Sequence, residues 1–466
     1  MSVNEYFESI KKNKAKLRQF IADMPKGGDL HNHLIGAAYA ETLFKIGCQA
    51  NLYADLDTGK LYDTPQTGIT TVRLDKNMEN FHENRMILID KWSIRDFQPY
   101  KYPLGPDEYF FSLFSKFLAA ANGIHLADIV HELKVRAKEE NLQYIETIGI
   151  SPTVSAPAFL SNIQYDHNNC SFKRECYYHN LSEFDESTYE YCINDIIDEY
   201  EKQYTDPNSD LRKAVEKYVA DNKAIVQNAP DDDTFKIKLQ GYASRGAEPL
   251  IVLCQLYIIY KAMECIPDIL VGCNIVAAEN SENSMLCYKL HMLMFKKLNE
   301  RFKRNIALHA GELTLGLVPP EHLTYHITDA VRMANAKRIG HGVDIAFEHN
   351  SSELLKEMKE KNIAIEINLT SNEFILGVKD DSHPFMIYKD SGVPMVIATD
   401  DPGILRTSIT EEYTLAAYRY NLAYDDIKKL VSNSIEYSFL SDSEKAYIRN
   451  IYNAKLAEFE AKYNNM

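Results

Sequence analysis

Residues 25–37 read PKGGDLHNHLIGA, and within them the run 28–33 predicts a short β-strand. Residues two apart on a strand point to the same face, so His31 and His33 would present two imidazoles to one cation. A His-x-His pair by itself also arises by chance or as polar caps. Whether the pair binds a metal therefore depends on which other side chains the fold places next to it.

Seven further apolar or β-branched runs follow, each succeeded by a longer stretch with helical periodicity. They cover residues 142–148, 235–242, 269–276, 306–309, 338–341, 363–368 and 394–399. Eight such runs alternating with helices predict an α/β fold, a TIM-like (β/α)8 barrel. The spacing predicts long helical insertions after the first and second strands, at about 49–125 and 151–233, with extra helices at both termini. Residues 1–466 are then one barrel domain.

Polar motifs follow three of the later strands: His309-Ala-Gly-Glu312, Gly340-His341-Gly342 and Thr399-Asp-Asp-Pro402. Barrels of this class build their active sites at the carboxyl ends of the strands. His31, His33, His309 and one of the adjacent aspartates, Asp400 or Asp401, would make a His3Asp set for a metal with an open position for water, and zinc suits it best.

Other groups at these strand ends suit acid–base work. Glu312 could be kept protonated by burial, and His341 could orient or deprotonate a metal-bound water. Ser371 and Asn372, just past the seventh run, could face a substrate or cap a helix. His383 is interpreted as a loop-to-helix feature rather than a ligand.

The composition of the chain limits the kinds of binding partner that it can have. The chain has 51 Lys+Arg and 67 Asp+Glu, a formal net charge of −16, which argues against nucleic acid and anionic membranes. No signal peptide or membrane span is recognised, so a cytoplasmic protein with reduced thiols is expected. The cluster His167, Cys170, Cys176 and His179 leaves open a second metal site or a disulfide.

Taken together and in this order, PKGGDLHNHLIGA, HAGE, RIGHGVDI, the Thr-Ser-Asn loop, HPF and TDDPGI resemble the adenosine deaminase family of zinc hydrolases. The resemblance covers the first strand and about 268–420. The aromatic stretch 92–117 and the N-terminal arm are more specifically similar to the adenosine deaminase-related growth factors.

The resemblance implies one zinc ion per subunit, and it implies roles for particular residues. His31, His33, His309 and Asp400 would be ligands, Glu312 would protonate the purine N1, His341 would activate the hydroxide and Asp401 would bond the base. The resemblance also implies that His33, Ala277, Glu312 and Asp401 contact the substrate. Adenosine, and 2′-deoxyadenosine with it, would give inosine and ammonia. The implied partner is a small purine nucleoside, and a homodimer through the N-terminal arm or the insertions is a further hypothesis.

Two positions depart from the family pattern. The family places an acid for the ribose 5′-hydroxyl where this chain has Ile35, or one residue earlier, where it has Leu34. A glycine of the fourth strand is replaced by Ala277. These changes leave adenine, AMP or a 5′-modified adenosine as alternative substrates, although Arg245, Lys379 and Arg406 are too scattered to indicate a phosphate site. A non-catalytic nucleoside-binding or growth-factor-like protein is a further alternative, against which the intact Glu312 and His341 argue.

Overall fold

The computed structural model describes residues 1–154 and 186–464. Its strands are β1 (Gly28–His33), β2 (Tyr53–Ala54), β3 (Leu61–Tyr62), β4 (Val72–Arg73), β5 (Tyr144–Ile148), β6 (Lys236–Ser244), β7 (Leu270–Val276), β8 (Ala307–Ala310), β9 (Arg338–His341), β10 (Ala364–Ile367) and β11 (Met395–Ile397). All eight predicted strands are present, as β1 and β5 to β11. Their bounds differ from the prediction by at most two residues at either end.

These eight strands form two parallel four-stranded sheets, in the orders β1-β5-β6-β7 and β11-β10-β9-β8. Isolated parallel bridges join the sheets at both seams, between Cys273 and Ile306 and between Asn32 and Asp400. At the second seam the N–H of His33 donates to the carbonyl of Asp400 over 2.7 Å. The first and last strands therefore lie side by side, as the predicted barrel requires.

Helices connect and surround the strands. They are α1 (Val3–Ile10), α2 (Lys14–Asp23), α3 (Leu34–Ala37), α4 (Ala40–Gln49), α5 (Phe81–Lys91), α6 (Pro106–Phe117), α7 (His125–Glu139), α8 (Glu186–Thr205), α9 (Asp210–Val226), α10 (Pro249–Cys265), α11 (Glu282–Phe302), α12 (His326–Arg332), α13 (Ser351–Glu360), α14 (Leu369–Leu376), α15 (Phe385–Ser391), α16 (Pro402–Leu405), α17 (Ile409–Arg419), α18 (Tyr424–Glu436) and α19 (Asp442–Asn464).

The sequence of each helix matches its environment. Helix α10 begins with Pro249 at a position that needs no N–H donor, and it is apolar on nearly every side because it is buried between β6, β7 and neighbouring helices. The N-terminal helices pack against α18 and α19, with the Phe20 ring 4.9 Å from that of Phe459 and 4.8 Å from that of Tyr463. The apolar face of the N-terminal arm is thus buried within its own chain, and the predicted homodimer stays a prediction.

The insertion at about 49–125 differs from the helical prediction. It contains α5 and α6 but also a small antiparallel sheet in the order β3-β2-β4. Strands of two residues carry too little periodicity to be read from sequence; they form because the chain turns back on itself, as where the N–H of Leu74 donates to the carbonyl of Leu52. The described part of the other insertion consists of α8 and α9.

Across residues 1–154 and 186–464, no single helix is long and apolar enough to cross a membrane. Residues 106–120 and helix α7 pass such a test only together, with a bend of 114° between them. Several of their apolar residues, including Leu113 and Val130, lie in the protein core. The cytoplasmic location stays a prediction.

Candidate active site

Four side chains from three strand ends meet at the seam between β1 and β11. Ligand atoms of His31, His33, His309 and Asp400 lie within 4.8 Å of one another. Oδ1 of Asp400 is 3.3 Å from Nε2 of His31 and 3.2 Å from Nε2 of His33. Nε2 of His31 is buried without a hydrogen-bond partner in the described structure. Imidazole nitrogens and a carboxylate oxygen aimed at one point are donors that fit a divalent metal ion such as zinc.

Neighbouring side chains hold these histidines by their far nitrogens. Nδ1 of His31 bonds Oε2 of Glu366 at 2.6 Å, and Glu366 in turn accepts from Nε of Arg338 at 2.5 Å. Nδ1 of His309 lies 3.0 Å from Oδ1 of Asn274. Each contact fixes Nδ1–H as the donor and leaves Nε2 free for a metal, the usual arrangement around metal-binding histidines. Against the effect of burial, contacts with His31 and His33 lower the pKa of Asp400 well below its usual value.

The other predicted groups stand around the same point. Oε1 of Glu312 lies 3.6 Å from Nδ1 of His341. Burial, with the negative charge of Asp400 beside them, raises the pKa of both Glu312 and Asp401 well above the usual range, so each carboxyl can hold a proton at neutral pH. Burial lowers the pKa of His341 to about 3, which keeps its imidazole neutral.

The orientation of His341 is set by a chain of side chains that the sequence interpretation did not assemble. The N–H of Phe385 donates to Nδ1 of His383, so Nε2–H of His383 donates to Oδ1 of Asn372 at 3.0 Å. Nδ2 of Asn372 then donates to Nδ1 of His341 at 3.0 Å. The proton of His341 is therefore on Nε2. Asn372 serves here as a buried link rather than as a helix cap.

Strained backbone marks three of the strand ends. Ala277, His341 and Asp400 have φ angles of 97°, 68° and 59°, in the left-handed region that side chains with a Cβ rarely adopt. Such conformations persist where the surrounding structure enforces them, often at functional sites. Gly36 allows another close approach, since a Cβ there would lie 1.5 Å from Oδ1 of Asp401.

Two charged residues beneath the site were not assigned a role from sequence. Glu279 accepts from the backbone N–H of Gly311 at 3.1 Å and of Glu312 at 2.9 Å. Arg245 lies 3.6 Å from Glu279 and donates to the carbonyl of His309 at 2.6 Å. Together they hold the His309–Glu312 segment from below. The one signal in the sequence was that Glu279 is an acid two residues beyond Ala277, just after the fourth predicted strand.

A cavity of about 800 Å³ opens above these groups. His33, Ala277, Glu312, His341, Asp400 and Asp401 line its floor. Arg245, Lys379 and Arg406, the three cations considered for a phosphate site, are not among its described lining residues. Arg245 is buried below the cavity, whereas Lys379 pairs with Glu373 and Arg406 pairs with Glu41. The volume is in the range of pockets that enclose a small organic ligand.

The cluster of His167, Cys170, Cys176 and His179 falls outside the described residues. Of the cysteines in the described ranges, Cys192 in α8 is disulfide-bonded, which corrects the expectation of reduced thiols throughout. No disulfide includes Cys48, Cys254, Cys265, Cys273 or Cys287.

Comparisons of sequence connect the chain with one family. The family profile described as "Adenosine deaminase" matches residues 223–454. An adenosine deaminase of Clostridium botulinum (strain Hall) is 33% identical over 158 residues, which are 34% of this chain and 44% of the relative. That of Plasmodium vivax is 34% identical over 149 residues, 32% of this chain and 39% of the relative. The match thus spans less than half the length of these relatives.

Comparisons of structure extend over nearly the whole chain. A zinc-bound amidohydrolase from Burkholderia ambifaria superposes with a TM-score of 0.60 at 16% identity, covering 96% of this chain and 95% of that one. An N6-methyl-AMP deaminase from Arabidopsis thaliana gives a TM-score of 0.56 at 17% identity, covering 95% and 99%. At such identities the likeness concerns the fold, and it confirms the α/β barrel class.

Proposed function

Since this chain belongs to the adenosine deaminase family, we propose that it is a zinc-dependent hydrolase that converts adenosine, and 2′-deoxyadenosine, to the 6-oxo nucleoside and ammonia. The observation that carries the proposal is the convergence of two functional sets on one cavity floor. One is a metal-type donor group, His31, His33, His309 and Asp400; the other consists of Glu312, His341 and Asp401.

Each side chain has a role that follows from its environment. A bound zinc ion would supply a water-derived nucleophile at neutral pH. Glu312, whose pKa is raised well above its usual range by burial, would donate a proton to purine N1 and so avoid a negative charge on the ring during addition at C6. Nε2–H of His341 is buried without a hydrogen-bond partner in the described structure, so it would be free to orient the attacking oxygen. Asp401, whose pKa is likewise raised by burial and by the neighbouring Asp400, would form a hydrogen bond to a ring nitrogen of the base.

The proposed reaction balances with water as the only co-reactant. The water oxygen forms a bond to C6, and the bond from C6 to the exocyclic nitrogen breaks. One water proton ends on N1 and the other on the departing ammonia. The bound purine thereby gains a 6-oxo group without any change in oxidation state.

AMP and free adenine are weaker candidates. A nucleotide such as AMP would need positive charge at the cavity, and no lysine or arginine lines the part of it that the structure describes. Free adenine would leave most of an 800 Å³ cavity unfilled. A non-catalytic nucleoside-binding protein would have no need for Glu312 and His341 side by side at the metal-type donor group.

The test is an activity assay on purified protein of known metal content. We expect about one zinc ion per chain by elemental analysis, and ammonia release together with the ultraviolet change of deamination when adenosine or 2′-deoxyadenosine is added. Chelation should abolish turnover, and added zinc should restore it. If zinc-replete, folded protein turns over no aminopurine at all, the proposal is wrong.

A further inference from the structure

The cavity has a second wall that the proposed reaction does not use. Helix α6 and the residue after it turn Phe110, Phe111, Phe114 and Leu118 toward the cavity. The Phe110 ring lies 5.2 Å from that of Phe111 and 5.5 Å from that of Phe114, so the three rings form a continuous apolar surface. Phe111 and Phe114 are only half-buried, which leaves ring surface for a ligand to cover.

Among the lining residues that the structure describes, the acidic side chains all belong to the floor, and none is a lysine or an arginine. Glu312, Asp400 and Asp401 belong to the floor, and the described wall contributes Ile35, Val154 and Ile375 in addition to the α6 side chains. Burying a phosphate or another anion against this wall without a paired cation would be costly. An uncharged apolar group would instead gain from leaving water.

The chemistry of the floor determines which end of a substrate meets the wall. A purine that presents C6 to the metal-type group and N1 to Glu312 directs N9, on the far side of the ring system, toward the mouth. The sugar then lies between floor and wall, where Ser151 and Thr153 offer hydroxyl groups. Oγ of Ser151 is buried and has no partner within the described ranges, so it can bond a sugar hydroxyl. The 5′ position is the part of the sugar that extends furthest from the base.

We propose, on the basis of the deaminase function above, that the preferred substrate carries an uncharged apolar substituent in place of the 5′-hydroxyl, packed against Ile35 and the aromatic face of α6. The substrate class is a 5′-deoxy-5′-alkylthio adenine nucleoside or a compound of the same shape and polarity. The reaction at C6 is unchanged, and the substituent contributes through binding alone.

The experiment compares kcat/KM for 5′-deoxy-5′-methylthioadenosine, adenosine and AMP with one preparation of zinc-replete protein. Filling an apolar pocket with one further small group typically changes kcat/KM by roughly tenfold or more. We therefore expect the thioether to exceed adenosine by at least that factor, with AMP poorest. A preference for adenosine or AMP would overturn the inference but leave deamination intact, whereas no turnover of any of the three would contradict the proposed function itself.

A matched pair of variants locates the apolar subsite. Ile35→Asp introduces a charge where the substituent should pack, and we expect the thioether-to-adenosine ratio of kcat/KM to fall at least tenfold. Ile387→Asp makes the same change at a side chain that is 38% exposed in α15, and the ratio should stay as in the wild type. If Ile35→Asp folds poorly, Phe114→Ser on α6 is the second test, and it should lower the thioether-to-adenosine ratio of kcat/KM in the same way. An unchanged ratio in folded Ile35→Asp and Phe114→Ser would overturn the inference.

Discussion

Glu279 accepts a hydrogen bond from the backbone N–H of Glu312 across 2.9 Å. The same carboxylate accepts from Gly311 at 3.1 Å and from Nδ1 of His326 at 2.6 Å. Although burial opposes ionisation, the guanidinium of Arg245 and the contact with His326 lower the pKa of Glu279 to about 2. A permanently charged acceptor therefore fixes the turn from which the proposed proton donor projects.

Replacing Glu279 by glutamine should loosen that turn. Gln presents one acceptor and one donor where two backbone N–H groups now converge, so one amide loses its partner. We expect kcat to fall roughly 10- to 100-fold with little change in KM, the range typical for residues that orient an active-site group. Zinc content, measured on the same samples, should stay near wild type, whereas the unfolding midpoint should fall because the buried Arg245 loses its charged partner. Glu321→Gln, at an exposed position, is the control. A rise in KM alone would contradict the positioning role.

The division of labour on the cavity floor can be tested by two substitutions. Glu312→Gln removes a proton donor but no proposed metal ligand, so it should keep its zinc and lose most of kcat, by about a hundredfold or more. His31→Ala removes one of four ligands together with the Glu366 contact, so its zinc content should drop steeply. Elemental analysis and turnover assays on both proteins are the measurements. Equal zinc loss in the two variants would refute the separate roles.

Sequence periodicity was sufficient for the barrel strands because a parallel strand buried on both faces has a strong local signature. The predicted strands also placed the histidines and acids of the site together, because the carboxyl ends of parallel strands all lie at the same end of a barrel. The Glu279–Arg245 pair and the His383–Asn372–His341 chain depend on contacts between residues that are 11 to 34 positions apart in the sequence. Neither has a local pattern, and each became visible only when the packing of β7, β8 and α14 was known.

Ala277 offers a test of stored backbone strain. At φ = 97° its Cβ is unfavourable, and glycine would adopt the same conformation freely. Relief of strain should exceed the entropy that glycine adds to the unfolded chain, so Ala277→Gly should raise the free energy of unfolding by about 1 kcal/mol. The neighbouring Ala278→Gly, where φ is not positive, should lower it by about 0.5 to 1 kcal/mol. Chemical denaturation of both variants measures the difference; equal destabilisation would mean that the Ala277 conformation is not strained.

Glu412 links stability to pH at a position remote from the proposed metal ligands. It is fully buried in α17, where it accepts from Oγ of Thr407 at 2.8 Å and from the N–H of Thr370 at 3.2 Å. Burial raises its pKa from 4.5 to about 7. The folded protein therefore binds a proton that the unfolded chain releases between these values. This stabilisation is complete below about pH 4.5 and is lost as the pH rises through about 7.

Glu412→Gln has no proton to lose there, so its free energy of unfolding should gain on that of the wild type as the pH increases. The gain between pH 5 and pH 8 should approach about 3 kcal/mol, from a shift of about 2.5 units at about 1.4 kcal/mol each. Denaturant titrations at several pH values measure it, and Glu353→Gln, at an exposed position of α13, should run parallel to the wild type. A constant difference between Glu412→Gln and the wild type across this range would show that Glu412 ionises alike in the folded and unfolded states.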